Sequence, residues 1–198
     1  QLLAPIANEF IAKYPEVQLE LVLANRQVDV IEEGFDLVVR IGALQDSSLV
    51  TRSLGRCGLF LYASPEYLDA QGVPQEPEDL KNHDLLAMDD GHTKNQWTLS
   101  SGDTTKQVSL KTRVSVNDFS TLRSLAAQGA GITVLPGYMH VGDYKKRLVR
   151  VLGDWSVPSV EFHAMFPSHR GATPKVRAFL DFLVVRLAHR FDDPFDRP

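Results

Sequence analysis

The sequence predicts an α/β protein of two lobes, each a mixed sheet flanked by helices, and three observations carry that expectation. Residues 112–136 read as strand, helix, strand. A strand-like run leads to Asn117 and Asp118, whose side-chain oxygens suit the first free N–H groups of a helix. Phe119, Leu122, Leu125 and Ala126 follow at helical spacing, Gly129 takes the C′ position, and an apolar run at 132–135 suits a buried strand of a parallel sheet. Second, strand-like runs at 58–63 and 160–166 bracket a middle segment able to fold on itself. Third, the apolar face of a final helix at 174–189 matches the needs of the first 57 residues. The expected partition is lobe I at 1–58 plus 164–198, lobe II at 64–159, and crossing strands at 59–63 and 160–163.

Taken in order, residues 2–14 read as a helix with Leu3, Ile6, Ala7, Phe10 and Ile11 in one stripe, closed by Pro15. Residues 17–24 alternate Val17, Leu19, Leu21 and Leu23, with Val22 apolar on the other face, and read as a buried or interfacial strand. A short helix is expected at 27–33 before Gly34, then a buried strand at 35–41 with Arg40 near its carboxyl end. Two separate strands follow at 49–54 and 58–63, then short helices at 65–71 and 77–83 and a brief strand at 84–87. Residues 97–100 and 107–111 suggest a hairpin around Ser101, Gly102 and Asp103. After the central unit, Pro136 can sit at the first position of a helix over about 137–143. Strands at 148–152 and 160–166 and the helix at 174–189 complete the chain.

The composition is that of an ordinary globular protein, 43% hydrophobic and 23% charged. A net charge of −4 argues against this segment gripping a phosphate backbone by itself. Lys145, Lys146 and Arg147 are the only three consecutive basic residues and read as a solvated face. The single cysteine, Cys57, permits no internal disulfide, which fits a reducing compartment, and reads as a small apolar residue at the start of a buried strand. No apolar run approaches the ~18 residues of a membrane span, so no membrane partner is expected. The chain starts at Gln1 without Met and is expected to be a piece of a longer protein.

No catalytic residue, metal site or cofactor is expected. There is no G-x-S-x-G elbow and no glycine loop ending in Lys–Ser/Thr. The six histidines (83, 92, 140, 163, 169 and 189) lack zinc-binding spacing, and His163 in an apolar run reads as a satisfied core histidine. Adjacent acidic pairs diverge instead of converging on a substrate. What remains points to a binding module. The corners at 117–120 and 136–138 carry helix N-termini at the carboxyl ends of strands, where open α/β sheets hold ligands, or else are ordinary caps. Arg40 is read either as a fork for a carboxylate or as half of a structural ion pair with Asp29 or Asp36.

Four runs resemble the effector-binding half of LysR-type transcriptional regulators, in order and over nearly the whole chain: PIANEFIAKYPEVQLELVLANRQVDVIEEGFDLVVRIGALQDSSLVTRSLG, LFLYASPEYLDAQGVPQEPEDLKNHDLL, VSVNDFSTLRSLAAQGAGITVLP and PKVRAFLDFL. The resemblance implies a two-lobed fold similar to type 2 periplasmic binding proteins. It also implies a cytoplasmic, dimeric or tetrameric regulator with an unidentified small-molecule effector, a carboxylate being one candidate. DNA would be read by a winged helix-turn-helix preceding this sequence. Effector contacts carried over from the family fall on Asn25 and Arg26, on Arg40, Ile41 and Gly42, on Asn117, Asp118 and Phe119, on Pro136 and Gly137, and on Phe166 and Pro167. Asn117 and backbone N–H groups are better suited to an anion than the Asp118 carboxylate. The family's pairing mode implies an interface with Leu3, Phe10, Leu19 and Leu21 of one copy against Leu122 and Arg123 of the other. Family members carry a strand and a Ser/Thr-bearing loop before the first helix, where this sequence begins. Two other classes compete: an extracytoplasmic solute-binding protein of the same fold, and an enzyme on this fold such as a dehydratase.

Overall fold

The computed structural model describes residues 2–24, 28–42, 48–89, 96–171, 173–188 and 191. Two compact units divide the chain, one formed by residues 1–57 with 160–198 and the other by 58–159. In chain order the elements are α1 (Leu3–Lys13), β1 (Val38–Ile41), β2 (Val50–Ala63), α2 (Pro65–Gln71), a 3-10 helix (Pro77–Asn82), β3 (Leu85–Met88), β4 (Gln96–Ser101), β5 (Thr104–Ser109) and β6 (Thr112–Val116). They continue with α3 (Phe119–Ala127), β7 (Ile132–Pro136), a 3-10 turn (Gly137–Met139), α4 (Tyr144–Arg147), β8 (Val149–Val151), β9 (Val157–Phe166), α5 (Ser168–Gly171) and α6 (Pro174–Ala188).

In the first unit, α1 and α6 bury their apolar stripes against each other. Phe10 has no exposed surface and packs its ring edge-on against Phe179 and Phe182, at 4.8 and 5.5 Å between centroids. Val176, Leu180, Leu183 and Leu187 form the buried side of α6, as their spacing predicts. Glu9 and Arg186 pair across the two helices at 2.7 Å. Beside them, β1 pairs with β9 antiparallel.

Three expectations are corrected here. Residues 17–24 form no strand. Leu21, Val22 and Leu23 are 45%, 54% and 87% exposed, because an extended run becomes a strand only where a neighbour completes its ladder. The helix expected at 27–33 is a single turn: the Asp29 carboxylate accepts from the N–H groups of Ile31 and Glu32 at 3.0 and 2.9 Å, and Gly34, at φ +74°, closes the turn. The strands expected at 49–54 and 58–63 are one strand of 14 residues, β2. Gly55 and Gly58 interrupt the side-chain pattern without interrupting the backbone run.

The second unit is built on the strand–helix–strand segment. β6 and β7 both run parallel to β3, which lies between them, so α3 carries the chain across one intervening strand. β2 pairs antiparallel with β7 and with β8, making the sheet mixed. The core gathers Phe60, Tyr62, Leu86, Leu122, Leu135 and Leu148. Gly131 is required where α3 hands over to β7: at φ +151°, an added Cβ would collide with the Asp84 carbonyl, the group that accepts from the Ile132 N–H at 2.9 Å. β4 and β5 form the expected hairpin, and Lys106 on β5 ties it to Glu78 of the 3-10 helix at 2.7 Å. Pro136 is the residue preceding the 3-10 turn, with extended backbone (φ −60°, ψ 138°), and not the first residue of a helix. The helix expected at 137–143 is realised only as that turn, and α4 begins beyond it at Tyr144.

Candidate ligand-binding site

The parallel strands of the second unit place their carboxyl ends at one edge of the sheet. That edge carries both corners singled out by the sequence. At the first, Asn117 is exposed, and Asp118 caps α3, its carboxylate accepting from the Thr121 N–H and from the Thr121 hydroxyl, each at 2.7 Å. The Thr121 hydrogen bond holds the Asp118 carboxyl below its ordinary range, helped by backbone N–H groups and by the Arg123 charge. Its acceptor capacity is turned toward its own helix. Phe119 is half-buried against the core. At the second corner, Pro136 and Gly137 are buried, and the Gly137 carbonyl accepts from the His140 N–H at 3.1 Å.

Arg123 joins the two corners. Its guanidinium stacks on the Tyr144 ring at 3.8 Å and donates to the Met139 carbonyl at 3.2 Å, and the residue is 4% exposed. Leu122 is fully buried. Arg123, Leu122 and Phe10 therefore belong to the interior of their own chain, which corrects their expected place on an interface. An amphipathic pattern shows that a helix has an apolar face, not whether a partner or the same chain covers it. Leu3 and Leu19 are half-buried and Leu21 is exposed.

In the first unit, the register of β1 on β9 sets Arg40 opposite His163 and Ile41 opposite Phe162. Ile41 is exposed and Arg40 half-buried. Neither expected carboxylate pairs with Arg40. Asp36 is taken by Arg170 at 3.0 Å and Lys175 at 2.8 Å, and Asp29 caps its own turn. Among the described residues Arg40 makes no ion pair. Glu161 lies near it but pairs with Arg56 at 2.6 Å and with His163 Nε2 at 3.3 Å. The sequence did not flag Glu161; its significance emerges only from strand register.

The same register corrects Phe166 and Pro167. Val38 pairs with Met165, so Phe166 lies beyond the amino end of β1, about 13 Å along β9 from the partner of Ile41. Both residues are buried there and are not brought together with Arg40 and Gly42. Asn25 and Arg26 lie outside the described residues. An open cavity of about 340 Å³ elsewhere in the first unit is lined by Leu54, Val184 and Phe191 and touches Arg56. No group of metal-ligating side chains is assembled among the described residues. His83 and His140 have structural partners, the Tyr67 hydroxyl at 3.3 Å and the Leu148 carbonyl at 3.0 Å, and burial pushes the His83 imidazole down from its ordinary range. No described helix is long and apolar enough to cross a membrane.

Comparison with known proteins adds to this geometry. The family model described as the LysR substrate binding domain matches residues 1–188. An HTH-type transcriptional regulator of Xanthomonas campestris pv. campestris (strain 8004) is 37% identical over 190 residues, covering 93% of this chain and 55% of that protein. CrgA, an HTH-type transcriptional regulator of Neisseria meningitidis serogroup C (strain 8013), is 32% identical over 95% of this chain and 63% of its own length. This chain thus spans little more than half of these relatives. Among solved structures, the regulatory domain of Neisseria meningitidis CrgA superposes with a TM-score of 0.84 at 32% identity, covering 94% of this chain and 92% of that one. The regulatory domain of AphB from Vibrio vulnificus (variant C227S) gives 0.77 at 33% identity, with 94% and 92% covered.

Proposed function

The chain belongs to the family of LysR substrate-binding domains, and on that premise we propose that it is the effector-sensing and oligomerising part of a DNA-binding transcription regulator. The relatives named above are transcriptional regulators, which favours this reading over a solute-binding protein or an enzyme. In the proposal the chain acts in the cytoplasm, binds its effector without turnover, and leaves DNA contact to a winged helix-turn-helix outside it. Effector binding shifts a conformational equilibrium by its differential affinity for two states. The exposed Leu21, with Leu3 and Leu19, supplies part of the pairing surface of a dimer or tetramer; Leu21→Asp should lower the dimer fraction in light scattering, and an unchanged dimer removes this surface.

The effector is proposed to be a small carboxylate. The supporting observation is Arg40, a half-buried arginine at a strand end whose described neighbouring carboxylates are engaged elsewhere. An arginine fork is matched to a carboxylate by geometry as well as charge. Proposed contacts are Arg40, Ile41 and Gly42 in the first unit, and Asn117, Phe119, Pro136 and Gly137 in the second, with Asp118 acting on its helix. A thermal-shift series with sodium acetate, benzoate and succinate is expected to raise the Tm with at least one of them. Arg40→Ala should weaken that response about tenfold, in line with a charge-assisted bond. An equal response in both proteins removes Arg40 from the site.

A further inference from the structure

Among the described residues, Glu161 is the carboxylate placed to compete with a ligand for Arg40. Gly42 stands opposite Glu161, its N–H donating to the Glu161 carbonyl at 2.9 Å, while Arg40 stands opposite His163. Alternation puts Arg40, Glu161 and His163 on the same face. Arg40 and Glu161 are diagonal neighbours, roughly 7 Å apart at Cβ, within reach of two long side chains. No side chain rises between them at Gly42, where an added Cβ would meet no atom within 4 Å. Glu161 is nevertheless engaged through both oxygens, Oε2 lying 3.3 Å from His163 Nε2. Its Oε1 accepts from Arg56 Nε at 2.7 Å and lies 2.6 Å from Nη2, with the Arg56 and Glu161 side chains 71% and 41% exposed. Exposed pairs of this kind shift an equilibrium by no more than about fivefold, so the arrangement is readily exchanged.

We infer that Glu161 is a built-in competitor for Arg40, held off by Arg56, so that Arg56 decides whether the anion site is open. This rests on the reading of Arg40 as the anion contact and adds its regulation. In the open arrangement Glu161 pairs with Arg56 and Arg40 is available; in the closed one Glu161 swings to Arg40. An anion on Arg40 favours the first, and any acidic group that engages Arg56 favours the second.

The test combines ligand binding with a ligand-free cycle. Titrated with acetate, benzoate and succinate, Arg56→Gln should bind about three- to fivefold more weakly than wild type and Glu161→Gln more tightly by a similar factor. The double variant should match Glu161→Gln, because without the competitor Arg56 has nothing to restrain. If the two charges act independently, the double variant falls back toward wild type, and the inference is overturned. Without ligand, Arg40→Ala should leave the Tm of wild type unchanged and lower that of Arg56→Gln, where Arg40 has gained Glu161. Equal effects in both backgrounds overturn the inference whatever the ligands do. Coupling without binding of any acid retains it and removes the carboxylate reading instead.

Discussion

The rims of the two units solve opposite problems. In the second unit the charged side chains of the two corners are committed to the fold: Asp118 to the first turn of α3, Arg123 to Tyr144 and the Met139 carbonyl. What this rim keeps is shape, held by parallel strands and caps. In the first unit the rim rests on a short antiparallel pair, and its charges are apportioned instead of buried: Asp36 to Arg170 and Lys175, Glu161 to Arg56, and Arg40 to no described residue. Under the proposed function the difference separates two tasks, positioning by a rigid edge and selection by the sign of charge. It also says where mutation is costly, since a group committed to the fold cannot be removed without loss of stability and an uncommitted one can.

The sharpest way to break that contrast is at Arg123. Arg123→Ala removes a buried side chain stacked on Tyr144 and frees the Met139 carbonyl, and should destabilise by about 2–4 kcal/mol in urea unfolding, the range of large-to-small core changes. Arg123→Met should cost much less, because it refills the volume and leaves no buried cation. Equal costs for the two variants would show that charge, not packing, joins the corners.

Much of this organisation was legible in local pattern. The 3.6 period found α1, α3 and α6; Asp118 and Gly129 marked the ends of α3; Gly102 marked the hairpin. What the pattern could not supply was pairing. Residues 17–24 alternate like a strand, yet no described neighbour completes a ladder. Residues 49–63 look interrupted at Gly55, yet Val50–Ala63 is one strand. β3 enters between β6 and β7, a placement that no local spacing encodes. The site divides the same way. Arg40 and the two corners could be read from strand ends, whereas Glu161 and the displacement of Phe166 follow from a register fixed by contacts more than 100 residues apart in the chain. Arg123 was misplaced because composition cannot tell a helix face covered by a partner from one covered by its own chain.

A smaller effect sharpens the contrast through pH. Asp118→Ala removes the cap of α3 and should cost about 1 kcal/mol near neutral pH. The folded-state carboxyl of Asp118 titrates below its ordinary range, chiefly because of the Thr121 hydrogen bond. The sign follows: the unfolded chain binds the proton first as pH falls, so the stabilisation is fully present above the unfolded value near 4 and fades as pH drops through the lower folded value. Urea midpoints of wild type and Asp118→Ala should therefore lie furthest apart at pH 7 and draw together toward pH 3. Asp118→Asn, whose amide oxygen still caps, should lose less than the alanine variant at pH 7 and show a weaker pH dependence. A constant gap between wild type and Asp118→Ala across that range would mean that Asp118 contributes by packing alone, and that its carboxylate is free to meet a ligand after all.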